Sequence, residues 1–188
     1  LIVAAGANLR VIQQNLSSVV DYSAVPTGTP VGATAPLTPG LGADQRQPVS
    51  LTFQANSITL GQGARIETDP GAKISFGAAA APGSTSTAAG PATNVLLLGS
   101  ILDHSGTVSV NALHTWLGSQ STIDLSGTAI ANSRFGFRNA TGQSATLMPG
   151  GTLILDAQSG LSTNLTGSFV VADVGASVDV SGYAGAIS

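Results

Sequence analysis

The chain has no cysteine, so neither a disulfide framework nor a thiolate metal site is open to it. Charge is nearly as scarce. Only 8% of the 188 residues are Asp, Glu, Lys or Arg, where ordinary globular domains carry about a quarter. Six scattered basic residues and a formal charge of -3 speak against nucleic-acid partners, because tracking phosphates needs a Lys/Arg surface. Long apolar runs are missing too: the longest compact one, Val95 to Leu98, falls far short of the roughly 20 residues that span a bilayer. No membrane insertion is expected. Asn-Gly and Asp-Gly pairs do not occur, and these are the strongest signals of tight two-residue hairpins. Antiparallel hairpins are therefore disfavoured. The chain opens at Leu1 with neither Met nor a signal-peptide pattern, from which a processed product or a segment of something longer is expected.

What is present is apolar and small. Hydrophobic residues make up 43% and glycine supplies 24 positions, a content that folds rather than staying disordered. The dominant period is two. Leu51, Phe53 and Ala55, then Ile58 and Leu60, Ile66, Ile74 and Phe76 alternate with polar neighbours, as strands with one buried face do. The same pattern runs through 95–112, 121–127, 151–157 and 168–182, and helical spacing appears nowhere at comparable length. Short corners of small residues, such as "GQG" at 61–63 and "VGA" at 174–176, separate the strands.

One phrase is said twice: "IDLSG" at 123–127 and "VDVSG" at 178–182. Its alternation places Ile123 and Leu125, and likewise Val178 and Val180, inward, with Asp124 and Asp179 outward and the Ser-Gly pair at a corner. Repetition with small corners predicts an all-β fold, a parallel β-helix (solenoid) with loop insertions. All of 1–188 reads as one such segment. Gly106 and Gly127 lie one coil apart, and the 55 positions from Gly127 to Gly182 suggest two or three coils with an insertion. Six to eight coils are expected in all. Loop insertions are expected at 23–48, which holds five of the nine prolines, 77–94 and 128–150.

Candidates for chemistry are few. Asp103 and His104, adjacent on a strand, point to opposite faces and make a poor acid–base pair; they read as solvated surface. Asp124 and Asp179 could approach glycosidase spacing when stacked, but equivalent places in a repeat suit a solubilising face. His114 and Trp116 share a face and could form a small ligand shelf. Arg134, Phe135, Phe137 and Arg138 combine aromatic rings with guanidinium groups, as carbohydrate and protein contacts often do. Asn15, Asn139 and Asn164 head Asn-x-Ser/Thr triplets that could accept glycans. No catalytic residue, metal site or cofactor is expected.

The stretches "LTFQANSITLGQGARIETDPGAKISF", "LLLGSILDHSGTVSVNA", "STIDLSG" and "GGTLILDAQSGLSTNLTGSFVVADVGASVDVSG" together resemble the large filamentous-haemagglutinin-like exoproteins of Gram-negative bacteria, which are secreted by a two-partner system. The resemblance covers about residues 50 to 188 and lies in the style of the repeat. The family's "NPNL" and "NPNG" secretion motifs are absent from this sequence, which would place it downstream of a secretion domain. The resemblance implies that the β-helix is right-handed and that the chain is a structural or adhesive segment of a secreted surface protein: a stalk, an adhesin or a filament or biofilm component. It further implies an outer-membrane transporter during export, and a surface glycan or protein of a host or neighbouring cell as partner. End-to-end self-association is a further expectation for the rod. Alternatives are a polysaccharide lyase or hydrolase on the same scaffold, an autotransporter passenger, or a toxin-delivery stalk.

Overall fold

The structure, a computed structural model, describes residues 1–12, 46–78, 91–131, 145–157 and 167–183. Among them there is no helix. Fifteen strands are present, and all but two fall into three parallel ladders. The first holds β1 (Ile2–Val3), β4 (Ser57–Leu60), β7 (Ala92–Leu97), the C-terminal half of β9 (Thr107–Leu117) and β14 (Phe169–Ala172). The second holds β2 (Asn8–Val11), β5 (Arg65–Thr68), β8 (Ser100–Leu102), β10 (Thr122–Asp124) and β15 (Ser177–Asp179). The third holds β3 (Ser50–Gln54), β6 (Lys73–Gly77), the N-terminal half of β9 and β13 (Thr152–Asp156). Through β9 the first and third ladders join into one curled eight-stranded sheet. The fold is all-β.

The remaining strands, β11 (Ala129–Ala131) and β12 (Ala145–Leu147), pair antiparallel. This is one antiparallel pair where the missing turn dipeptides argue for none. It is joined by a long connection, 132–144, and so needs no tight turn.

Alternation follows from what each face meets. A parallel sheet usually has both faces covered and reads as a continuous apolar run. Here only the inner face is covered, so polar residues return every second position. Ile58, Leu60, Ile66, Ile74, Val95, Leu97, Ile101, Val108, Val110, Ile123 and Leu125 are all 1% exposed or less and form one core contributed by all three ladders. Each such side chain contributes about 1.5–3 kcal/mol on burial. Like residues stack between neighbouring strands: Phe53 pairs with Phe76, and their rings lie 5.0 Å apart and nearly parallel at 10°.

The register shows where coil counting goes astray. Ile101 pairs with Ile123, 22 positions on. Ile123 pairs directly with Val178, so the 55 positions between the two repeated phrases are a single step, not two or three. The deepest ladders hold five strands among the described residues, fewer than the six to eight coils expected. At ~4.8 Å per strand, five strands place the outer ones about 19 Å apart.

The reason for glycine in the repeated phrase also differs. Neither Gly127 nor Gly182 has a positive φ. A Cβ on Gly127 would collide with the backbone of Tyr183 and Met148, whereas nothing lies within 4 Å at Gly182. The first needs glycine for close approach, the second not at all.

Candidate functional site

Corners between the first and second ladders have a nearly constant length, and the exception makes a cleft. Six positions separate Val3 from Leu9, Leu60 from Ile66, Leu117 from Ile123 and Ala172 from Val178, all equivalent by register. Only four separate Leu97 from Ile101. The corner at Leu98–Gly99 is therefore recessed between two longer ones, Gly61–Ala64 and Gly118–Ser121. Across this notch Gln62 Nε2 donates to Gln120 Oε1 at 2.6 Å, joining corners two rungs apart. Leu98, Gly118, Ser119 and Asp173 complete a cleft of about 190 Å³. No Lys or Arg lines it.

Beside it stands Trp116. The residue points outward from β9, is 41% exposed and lies in register between Leu96 and Val171. Its Nε1–H donates to Asp173 Oδ2 at 3.0 Å, so the next rung fixes the indole and the cleft shares that carboxylate. His114 does share the outer face with Trp116, but its ring is occupied. It stacks on Phe169 at 4.4 Å, with Nδ1 3.1 Å from Asn94 Oδ1 and Nε2 3.1 Å from the Gly167 carbonyl. His114 thus ties three rungs together, and Trp116 is left as the accessible ring of the pair.

Asp124 and Asp179 are stacked in register, yet each is used by its own corner. Asp124 Oδ1 accepts from the Ser126 N–H at 3.0 Å and the Ser126 hydroxyl at 2.7 Å. Asp179 Oδ1 accepts from the Ser181 N–H at 2.9 Å. Such bonds to the residue two positions on hold a bend. They also lower the Asp179 pKa, through the Ser181 N–H first, then the Ser181 hydroxyl and, more weakly, His104. His104 Nδ1 lies 3.2 Å from Ser126 Oγ, which brings His, Ser and Asp together in the wrong order for nucleophile activation. The serine proton is aimed at Asp124, while activation needs it aimed at the imidazole.

Asp103 is a correction. Read as solvated surface, it is 0% exposed. Its Oδ1 accepts from the Ala72 N–H at 3.1 Å, and Oδ2 and the nearby Thr68 Oγ1 are both buried without a formed hydrogen bond. Loss of water raises its pKa from 3.8 to about 7, against smaller lowering effects of the Thr68 hydroxyl and the Ala72 N–H.

Arg134, Phe135, Phe137 and Arg138 lie outside the described residues, as do Asn15, Asn139 and Asn164. Among the described residues no three His, Cys, Asp or Glu side chains converge as a metal site would require. Sequence reading missed Gln62, Gln120 and Asp173, which belong to three separate corners. What they share is only that each lies in a passage from the first ladder to the second, and this is legible only once the corners are aligned by register. Comparison with family models, with curated proteins and with solved structures finds no match to this chain.

Proposed function

We propose that this chain is a right-handed parallel β-helix and serves as a structural and adhesive segment of an exported surface protein of a Gram-negative bacterium. The observation that carries the reading is the order of visits. Successive strands enter the first, second and third ladders in turn and then begin again one rung further on, which is how a chain wound as a coil proceeds. Right-handed winding is the hand that parallel crossovers adopt in about 98% of cases. A coil of this kind needs no catalytic centre. It offers long outer faces, here low in charge, on which contacts with cells can be spread. Stacked carboxylates already engaged at corners, and a serine whose proton is directed at Asp124, support a binding role over a hydrolytic one.

The test is adhesion. Beads coated with the purified protein should bind epithelial or bacterial cells above uncoated beads, and the protein should leave a panel of polysaccharides intact. Turnover of any of these that disappears in Asp124→Ala or Asp179→Ala would place the enzyme reading first, and beads that bind no cell would remove the adhesive one.

A further inference from the structure

We infer that the notch at the Leu98–Gly99 corner, together with Trp116, is a binding site for a neutral saccharide. The inference supplies contact chemistry for the adhesive segment proposed above and rests on that reading only for its biological setting. Four features of the site fit such a ligand. Trp116 is an exposed residue, 41% accessible, whose indole is held by the bond from its Nε1–H to Asp173. A flat, immobilised aromatic surface is a platform for the apolar C–H face of a sugar, gained without ordering a side chain on binding. Next to it the cleft has an apolar element in Leu98 and polar groups in Gln62, Ser119, Gln120 and Asp173. The Gln62–Gln120 bond uses one amide donor and one amide oxygen, leaving Gln62 Oε1 and Gln120 with donors and an acceptor to spare. Asp173 Oδ1 also has no partner among the described residues.

The groups present decide the class. A sugar hydroxyl both donates and accepts, and amides and a carboxylate side by side serve it in both senses. An acidic polysaccharide would need a cation, and no Lys or Arg lines the cleft; an anion there would also be repelled by Asp173. The cleft encloses only about 190 Å³, room for a small ligand rather than for the broad surface of a folded partner. The origin of the notch is itself specific. Four corners span six positions and this one four, and the bridging glutamines meet because nothing stands between them.

Trp116 is the only tryptophan, so tryptophan fluorescence, excited selectively over the two tyrosines, reports on this site alone. We expect a saturable change in its emission with at least one of a set of neutral gluco-, manno- or galacto-oligosaccharides, and a weaker response to oligogalacturonate. Asp173→Asn should reduce affinity about tenfold, the value of one charged hydrogen bond. Insertion of Gln-Gly after Leu98, which restores the six-position corner, should abolish the response while the circular-dichroism spectrum stays the same. If that variant loses its β spectrum, Gln120→Ala, a surface truncation beside the notch, takes its place with a loss of at least threefold. No response to any neutral oligosaccharide, an equal response after the notch is filled, or tighter binding of oligogalacturonate would each overturn the proposal. Beads that bind cells while emission stays silent would sink this site and leave the adhesive reading standing.

Discussion

A displacement of one residue decides the environment of Asp103. In the repeated phrase the order is Ile123-Asp124-Leu125, which puts the carboxylate outside; one rung earlier it is Ile101-Leu102-Asp103, and Ile101 is in register with Ile123. Asp103 therefore takes the inward place that Leu125 fills above it, and enters a column where water does not reach (0% exposed). The folded-state pKa, about 7, is above the ordinary 3.8. Between those values the folded chain holds a proton that the unfolded chain has lost. Stability from this group is accordingly full below about pH 4 and is lost as pH rises toward 7, by on the order of 4 kcal/mol. Asp179 acts in the opposite sense, its depressed pKa giving a contribution present above pH 3.8 and lost as pH falls further. Asp103→Asn keeps the oxygen that meets the Ala72 N–H and carries no charge. Urea midpoints measured from pH 4 to 8 should therefore fall in the parent and stay nearly level in the variant across that range. An unchanged slope in Asp103→Asn would assign the pH dependence to other groups.

At the scale of a corner, three Ser-Gly pairs look alike in sequence and differ in what surrounds them. Ser105-Gly106, Ser126-Gly127 and Ser181-Gly182 follow the three aspartates. A Cβ on Gly106 would overlap the Asp103 carboxylate, one on Gly127 would strike backbone atoms of two other segments, and one on Gly182 would meet nothing within 4 Å. None of the three has a positive φ, so alanine is resisted by space alone. Gly106→Ala and Gly127→Ala should each cost about 1–3 kcal/mol, the range for overpacking, and Gly182→Ala should change the urea midpoint little. Equal effects at all three would show that the bend, not the neighbour, requires glycine. The element scale is also where sequence reading served best. Strand positions and inward faces follow from period two, and the equivalence of Asp124 and Asp179 follows from the repeated phrase, although their direct pairing does not. It served worst where a single position shifts phase, as at Asp103, because Leu-Asp-His-Ser-Gly still resembles the repeat.

For the molecule as a whole, what the sequence conceals is the length of each passage between ladders, since the inserted residues carry no period. Residues that correspond by register make these lengths visible. From the third ladder to the first, Phe53 to Ser57 takes four positions and Val110 to His114 takes four, while between them Phe76 to Asn94 takes 18. After β13, Leu155 to Phe169 takes 14, a stretch that the sequence pattern does not mark as an insertion. In β9 the passage is one unbroken strand across the bend, so the extra 14 positions after Phe76 are not needed to connect the two ladders. Deleting 78–91, which joins Gly77 to Ala92, should give a continuous strand lying on Val110-Asn111-Ala112. Loop length affects closure only logarithmically, so the deletion should leave the β spectrum in place and shift stability by about 1 kcal/mol or less. Removing one residue more, 77–91, leaves the passage a position short and turns Val95 and Leu97, both 0% exposed, toward the outer face. That chain should lose cooperative unfolding. If the two deletions behave alike in a urea melt, β6, β7 and β9 do not pair in this register, and the alignment of every corner that defines the notch falls with it.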